Sequence, residues 1–74
     1  MKNNTIEGGI NNIVAGSNIK IPATISNTFV WSDAVGTTFT PTTSGAFYVN
    51  TQNGVGINET DPHTLFDSKG AVKF

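Results

Sequence analysis

The sequence predicts an all-β fold built from short strands. No window places apolar residues at helical spacing, whereas pairs of apolar residues separated by one residue recur along the chain. Asn, Thr, Gly and Ser make up 33 of the 74 residues, a composition that disfavours helices and favours turns. Seven Ile and seven aromatic residues can supply burial, so the polar composition indicates exposed β-structure rather than disorder.

Six apolar pairs mark the predicted strands, and turn-forming residues separate them. The pairs are Ile13/Ala15, Ile19/Ile21, Phe29/Trp31, Phe47/Val49, Val55/Ile57 and Val72/Phe74. Both members of a pair point to the same face of a strand, and we expect that face to pack in the core. Val14, Val30 and Tyr48 lie between paired residues and are also apolar, so these strands need cover on both faces.

A short repeat opens the chain. Asn12 lies eight positions after Asn4, and Asn18 lies six positions after Asn12, which gives a period of fourteen. Two strands and two turns fill such a period in one coil of a narrow β-solenoid. Asn suits the corners because its side chain bonds nearby backbone and it tolerates left-handed geometry.

Length and composition limit the classes of protein that this chain can represent. A 74-residue domain buries only a thin core, and the absence of Cys removes disulfides and thiolate metal sites as sources of stability. Partner chains are therefore the expected source of further burial. The four Lys and the absence of Arg give no basis for nucleic-acid binding.

Two further features bear on location. No apolar run reaches the length of a membrane span, so no membrane insertion is expected. The stretch Met1-Lys2-Asn3-Asn4 does not lead into the apolar core of a signal peptide. The chain is then either assembled in the cytoplasm, as virion parts are, or a segment of a longer exported protein.

Candidate chemical sites are few. Glu59, Asp61, His63 and Asp67 lie close in sequence around Pro62, but their spacing matches no known metal loop, and a solvated turn is the preferred interpretation. No catalytic residue, metal or cofactor is predicted, and the chain is not expected to be an enzyme. Trp31 and Tyr48 could stack on a sugar, although the apolar pairs favour a core or subunit-interface role for the aromatic residues.

Two parts of the chain, quoted below as one stretch and as three, resemble known fibre proteins. NNTIEGGINNIVAGSN, from residue 3, resembles the fourteen-residue Asn/Gly repeats in the left-handed β-roll heads of trimeric autotransporter adhesins. FVWSD, AFYVNTQNGVGINETDP and LFDSKGAVKF are similar to a segment that follows such repeats in bacterial surface proteins and in phage or giant-virus fibres. Gly54-Val55-Gly56-Ile57 and Pro62 match that pattern, whereas Leu65-Phe66-Asp67 departs from it by an additional Phe.

The resemblance implies a short-strand β-roll or β-prism-like module in an intertwined parallel homotrimer. Residues 1–28 would form the β-roll repeats and 29–74 the β-prism-like segment, as one cooperative unit. The residues expected in the core or subunit interface are Ile13, Val14, Ile19, Ile21, Phe29, Val30, Trp31, Phe47, Val49, Val55 and Ile57.

Three functions remain open at this point. The first is a structural module of a trimeric fibre, either a virion fibre or the shaft or head of a bacterial adhesin, outside the cell or on a virion and able to contact a host glycan or receptor. The second is a subunit that stacks head to tail into a filament. The third is a small glycan-binding module that uses Trp31 and Tyr48.

Overall fold

The computed structural model describes residues 1–72, without the side chain of Asp67. Seven short strands are present in this range, and the predicted all-β class is confirmed. They are β1 (Thr5–Ile6), β2 (Ile13–Ser17), β3 (Lys20–Ile21), β4 (Phe29–Asp33), β5 (Phe47–Asn50), β6 (Val55–Ile57) and β7 (Phe66–Ser68). No helix in residues 1–72 is long and apolar enough to cross a membrane. The predicted pair Val72/Phe74 extends outside the described residues.

The strands pair in parallel, so the chain up to the end of β5 winds into three stacked coils. β2, β4 and β5 form one sheet in that order, and β1 pairs with β3 on the opposite side. Ile13, Phe29 and Phe47 are register partners, so the chain advances by sixteen and then by eighteen positions from coil to coil. The sheet continues across the predicted boundary between residues 28 and 29. β6 and β7 form a separate two-stranded parallel pair after the coils.

The predicted period of fourteen is too short. Lys20, the register partner of Thr5, lies fifteen positions after it, and Phe29 lies sixteen positions after its partner Ile13. The left-handed corners are Asn3, Asn11, Asn18 and Asn27, with φ between 56° and 60°. Two of the three predicted corners were therefore placed one residue late, because in both Asn-Asn pairs it is the first Asn that turns the chain.

An apolar residue follows each left-handed Asn at a fixed distance. Ile6, Val14, Ile21 and Val30 lie three residues after Asn3, Asn11, Asn18 and Asn27, respectively. Ile21 and Val30, in the second coil, are fully buried. The repeating unit is thus a left-handed Asn, two intervening residues and an apolar residue that points between the two sheets.

The core lies between these two sheets. Ile19, Ile21, Ile25 and Val30 form its buried centre, and Val14, Phe39 and Tyr48 pack against them. The predicted inward face of β2, β4 and β5 is therefore wrong: Val14, Val30 and Tyr48 point inward, whereas the apolar pairs around them point outward. Both faces of these strands are apolar, so alternation alone cannot tell the inner face from the outer one.

Gly16 permits the closest approach between coils. Its φ is +102°, and a Cβ atom placed on it would collide with the backbone oxygen of Ser32 in the next coil. Since Ser32 is itself a central-strand residue of the sheet, that oxygen cannot move away without breaking the ladder. Only glycine fits at this point.

We expect Gly16→Ala to destabilise the fold by more than about 3 kcal/mol, because backbone strain and a backbone clash add. Gly36→Ala is the matched control: φ is +76°, and nothing lies within 4 Å of a Cβ atom placed there. This change should cost only about 1–2 kcal/mol for the left-handed conformation. Urea unfolding followed by circular dichroism measures both, and equal losses would contradict the close approach.

Candidate assembly surface

The most unusual surface of the molecule is the solvent side of the sheet formed by β2, β4 and β5. We call it the outer apolar face and define it by six residues in two columns of the register, namely Ile13, Phe29 and Phe47 in one column and Ala15, Trp31 and Val49 in the other. Its five large side chains keep between 39% (Val49) and 68% (Phe47) of their surface exposed. The face contains no charged residue.

Stacking between equivalent positions fixes the arrangement of this face. The rings of Phe29 and Phe47 lie parallel, with centroids 4.9 Å apart and 5° between the planes. Parallel register places identical strand positions directly above one another, so like side chains meet in columns. The result is a ridge of aromatic and aliphatic groups that runs along the direction in which the coils stack.

The size of the outer apolar face falls in the range of the largest apolar patches on monomeric proteins, which are often functional. Aromatic side chains carry roughly 150–250 Å² each, so the exposed part of the six residues amounts to about 500 Å². The largest apolar patch of a typical monomer is about 300–600 Å² and is often functional. Parallel sheets are also normally covered on both faces. This face is therefore a candidate surface for assembly.

Asparagine side chains at the corners connect successive coils. Asn3 Nδ2 donates to Asn18 Oδ1 at 3.3 Å, and Asn11 Nδ2 donates to Asn27 Oδ1 at 3.0 Å. Asn18 Nδ2 in turn donates to the backbone oxygen of Ala34 at 2.8 Å. The corners at Asn3 and Asn11 are thus joined to the Asn corners of the next coil, and the corner at Asn18 is joined to the backbone of the third coil.

The second residue of each Asn-Asn pair connects the coils in a different way. Asn4 Oδ1 accepts from the backbone N–H of Ile19 at 3.1 Å, while its Nδ2 donates to the oxygen of Gly16 at 3.0 Å. Asn12 Oδ1 accepts from the backbone N–H and the hydroxyl of Thr28, and its Nδ2 donates to the oxygen of Ile25. These amides satisfy backbone groups where the chain turns and the strand ladder is interrupted.

The third coil is attached through polar groups at the end of β4. Asp33 accepts from the backbone N–H of Gln52 through both carboxylate oxygens at 3.2 Å, and from the Thr51 hydroxyl at 3.3 Å. Asn50 Nδ2 donates to Ser32 Oγ at 3.0 Å. The three strands that carry the outer apolar face are therefore joined at their ends as well as along the ladder.

The structure divides the predicted core and interface residues into three groups. Ile19, Ile21 and Val30 are buried, with Val14 packed against them. Ile13, Phe29, Trp31, Phe47 and Val49 lie together on the outer apolar face. Val55 and Ile57 belong to β6, away from both groups, and Ile57 is exposed.

Trp31 and Tyr48 lie on opposite faces of the sheet. Trp31 belongs to the outer apolar face, whereas Tyr48 packs on the core beside Phe39, at a ring distance of 5.9 Å. The Tyr48 hydroxyl donates to the oxygen of Thr43 at 2.7 Å and accepts from its N–H at 3.0 Å. The two rings do not share a surface, so a sugar-binding platform would have to rest on Trp31 without Tyr48.

The acidic stretch near Pro62 forms a small polar contact. His63 Nε2 lies 3.3 Å from Asp61 Oδ2, and both side chains are largely exposed. Among the described residues, no three His, Cys, Asp or Glu side chains come close enough to hold a metal ion. The preferred interpretation of this stretch as a solvated turn is consistent with that exposure.

Comparison with known proteins adds no family to this description. No family model, curated protein or solved structure matches the chain.

Sequence reasoning missed the residues that tie the coils together. Ser32 and Asp33 make contacts between coils that no local sequence pattern predicts, and Asn12, expected to bond nearby backbone, bonds to Thr28 sixteen positions away. A signal was nevertheless present in the doubled Asn-Asn, which occurs at residues 3–4 and again at 11–12. These two pairs mark the two corners of one coil.

We expect Asn12→Ala to destabilise the fold by about 2–4 kcal/mol, because Thr28, which is 3% exposed, would keep a buried N–H without an acceptor. Asn53→Ala is the control, since Asn53 lies exposed in the turn before β6. It should change the free energy of unfolding by less than about 0.5 kcal/mol. Thermal and urea unfolding of both variants measure the difference, and similar values would contradict the bridging role of Asn12.

Proposed function

We propose that this chain is a structural module of a trimeric fibre or surface appendage on a virion or a bacterial cell. In this proposal three copies turn their outer apolar faces toward a common axis and form a rigid segment of a shaft or head. The single observation that supports it most is the ordered apolar face on a chain whose own core is small. The number of copies comes from the resemblance to trimeric fibre proteins.

The direction of the strands supports a rotational arrangement. All strand pairs in the described residues are parallel, so each coil repeats the previous one along a single stacking direction. If the copies are related by rotation about an axis along that direction, their coils lie at the same height. Each residue then lies beside its equivalents in the other copies. Phe29 of one copy would then lie beside its counterparts in the others, with Ile13 and Phe47 in the layers before and after it.

Burial explains why such an assembly would be stable. Covering about 500 Å² on each copy contributes roughly 12 kcal/mol per chain at 25 cal/mol/Å², before the cost of association. A stable interface between two proteins buries about 800 Å² per partner, so the face supplies the apolar centre and polar rims would have to complete it. Charge repulsion does not oppose this contact, because the outer apolar face carries no charge.

Function in this proposal is mechanical. A module of this kind extends a binding tip away from the particle or cell, and any attachment to a host glycan or receptor gains strength from three equivalent sites. Glycan binding by this chain alone would use the half-exposed Trp31, which the same proposal places at the subunit interface. The two functions therefore compete for one side chain.

We expect Phe47→Glu to convert the trimer into a monomer, because three carboxylates, one from each copy, would be buried together at the axis. Val35→Glu is the matched control: Val35 is 79% exposed and lies outside the outer apolar face. Neither change removes a buried side chain from the single chain, so both should fold. Sedimentation velocity at equal concentration measures the assembly state.

The expected result is a trimer for the unmodified chain and for Val35→Glu, and a monomer for Phe47→Glu. Two results would overturn the proposal. One is a folded monomer for the unmodified chain; the other is a trimer that tolerates Phe47→Glu. Assemblies that grow in size with concentration would favour the head-to-tail filament instead.

A further inference from the structure

The asparagine side chains of this molecule divide into a bonded and an unbonded group. Of the nine Asn residues, seven have a side-chain hydrogen bond, namely Asn3, Asn4, Asn11, Asn12, Asn18, Asn27 and Asn50. The other two, Asn53 and Asn58, are exposed, and no group among the described residues bonds to either side-chain amide. Asparagine is chemically labile, so an unbonded amide in solvent is a place where the side chain can react.

The residue that follows an Asn decides whether the backbone can attack the amide. In that reaction the backbone nitrogen of the following residue attacks the side-chain carbon Cγ, and a Cβ atom on the following residue hinders the approach. Asn58 precedes Glu59, whereas Asn53 precedes Gly54, which has no Cβ. No other Asn of the sequence precedes a glycine. Asn53 alone therefore combines an unbonded amide with an unhindered attacking nitrogen.

The backbone nitrogen of Gly54 is also available for attack. At the corners of the coils, the nitrogens that directly follow an Asn donate hydrogen bonds in four cases: Thr5, Ile13, Ile19 and Thr28. Gly54 lies in the turn between β5 and β6, and its nitrogen has no acceptor among the described residues. The fold thus holds the corner asparagines away from this reaction and leaves Asn53 open to it.

We propose that Asn53 is a site of spontaneous deamidation, with water as the co-reactant. The lone pair of the Gly54 nitrogen attacks Cγ of Asn53, the bond from Cγ to Nδ2 breaks, and ammonia leaves with the proton of the Gly54 nitrogen. Water then opens the resulting five-membered imide at either carbonyl. One opening gives aspartate, and the other gives isoaspartate, in which the backbone runs through Cβ and Cγ. This modification is independent of the fibre proposal.

Isoaspartate at this position disturbs a closely packed junction. A Cβ atom placed on Gly54 would collide with the backbone oxygen of Thr64, and the next residue, Val55, donates its N–H to the oxygen of Leu65 at 2.9 Å. An additional backbone atom directly before Gly54 shifts this close approach. The β6–β7 pair therefore opens at its first hydrogen bond, while bonds between the coils remain.

Prolonged incubation of the folded chain at neutral to mildly alkaline pH tests the proposal. Peptide mapping by mass spectrometry measures the reaction at each Asn as the mass gained when a hydroxyl group replaces the amino group. We expect the rate at Asn53 to exceed that at every other Asn by at least about tenfold. Asn53→Gln should show no gain at this position over the same time, because its attack would have to close a six-membered ring.

A matched variant separates the effect of the fold from that of the Asn-Gly sequence. Ile13→Gly creates a second Asn-Gly at a corner where Asn12 is bonded through both amide atoms. Ile13 is 57% exposed, so the change removes no buried side chain, and circular dichroism checks that the variant folds. We expect Asn12 in this variant to react at least about tenfold more slowly than Asn53 in the same molecule.

Hydrogen exchange tests the effect of isoaspartate on the β6–β7 pair. Each product carries one more negative charge than the parent chain, whose formal net charge is −1, so chromatography separates the products from it. In the isoaspartate fraction the N–H of Val55 should lose at least about tenfold of its protection. The N–H of Ile13, which donates to Thr28 at 3.0 Å, should keep its protection. The aspartate fraction has the normal backbone and should retain protection at both.

Any of three results would overturn the proposal. The first is a rate at Asn53 no higher than at the other asparagines. The second is equal reaction of Asn12 and Asn53 in folded Ile13→Gly, and the third is unchanged protection of Val55 in the isoaspartate fraction. If Ile13→Gly does not fold, the rates at the nine Asn of the unmodified chain and the exchange of its products still decide the outcome.

Discussion

Direct stacking of one coil on the next is the constraint on which the rest of this structure depends. Neighbouring strands lie about 4.8 Å apart, so each position must tolerate the equivalent position of the coil above it. Corners are the difficult places, because there the strand ladder stops while backbone groups still need partners. Asn adopts the left-handed conformation at four corners, and at three of them, Asn3, Asn11 and Asn18, its side-chain amide donates to the next coil.

The same constraint explains why the molecule is apolar on two sides. Identical columns favour side chains that stack well, and Phe29 over Phe47 is an example on the outer face. Inside, Ile21 and Val30 contribute to a core of only a few residues. A core this thin leaves a small chain near the limit of stability. The outer apolar face is the only large apolar surface of the described sheet that is still exposed. In the proposed trimer, association buries this face.

Much of the fold could be predicted from the sequence, but its orientation could not. The apolar pairs predicted five of the strands within the described residues, since strand periodicity is local. The sequence could not predict which face of β4 packs in the core, because Val30 and the flanking Phe29 and Trp31 are all apolar. Coil length was misjudged because Asn4 and Asn12 were taken as corners, whereas Asn3 and Asn11 adopt the left-handed conformation, and no local pattern tells the first Asn of a pair from the second.

The candidate surface shows the same limit. Sequence analysis placed Phe29, Trp31 and Phe47 together but could not tell a core from a subunit interface; the structure shows that these side chains are exposed to solvent in the single chain. Polar contacts such as that between Asp33 and Gln52 join successive coils that are distant in sequence. Such contacts depend on how the coils stack, so they can be identified only once the stacking is known.

The mass of the unmodified chain in solution tests the central claim most directly. Light scattering across about a hundredfold dilution separates a closed assembly from an open one, since only the open one changes size continuously with concentration. Burial of the outer apolar face by two neighbours predicts a constant mass of three chains of 7.8 kDa. A folded species with the mass of one chain at every concentration would contradict it.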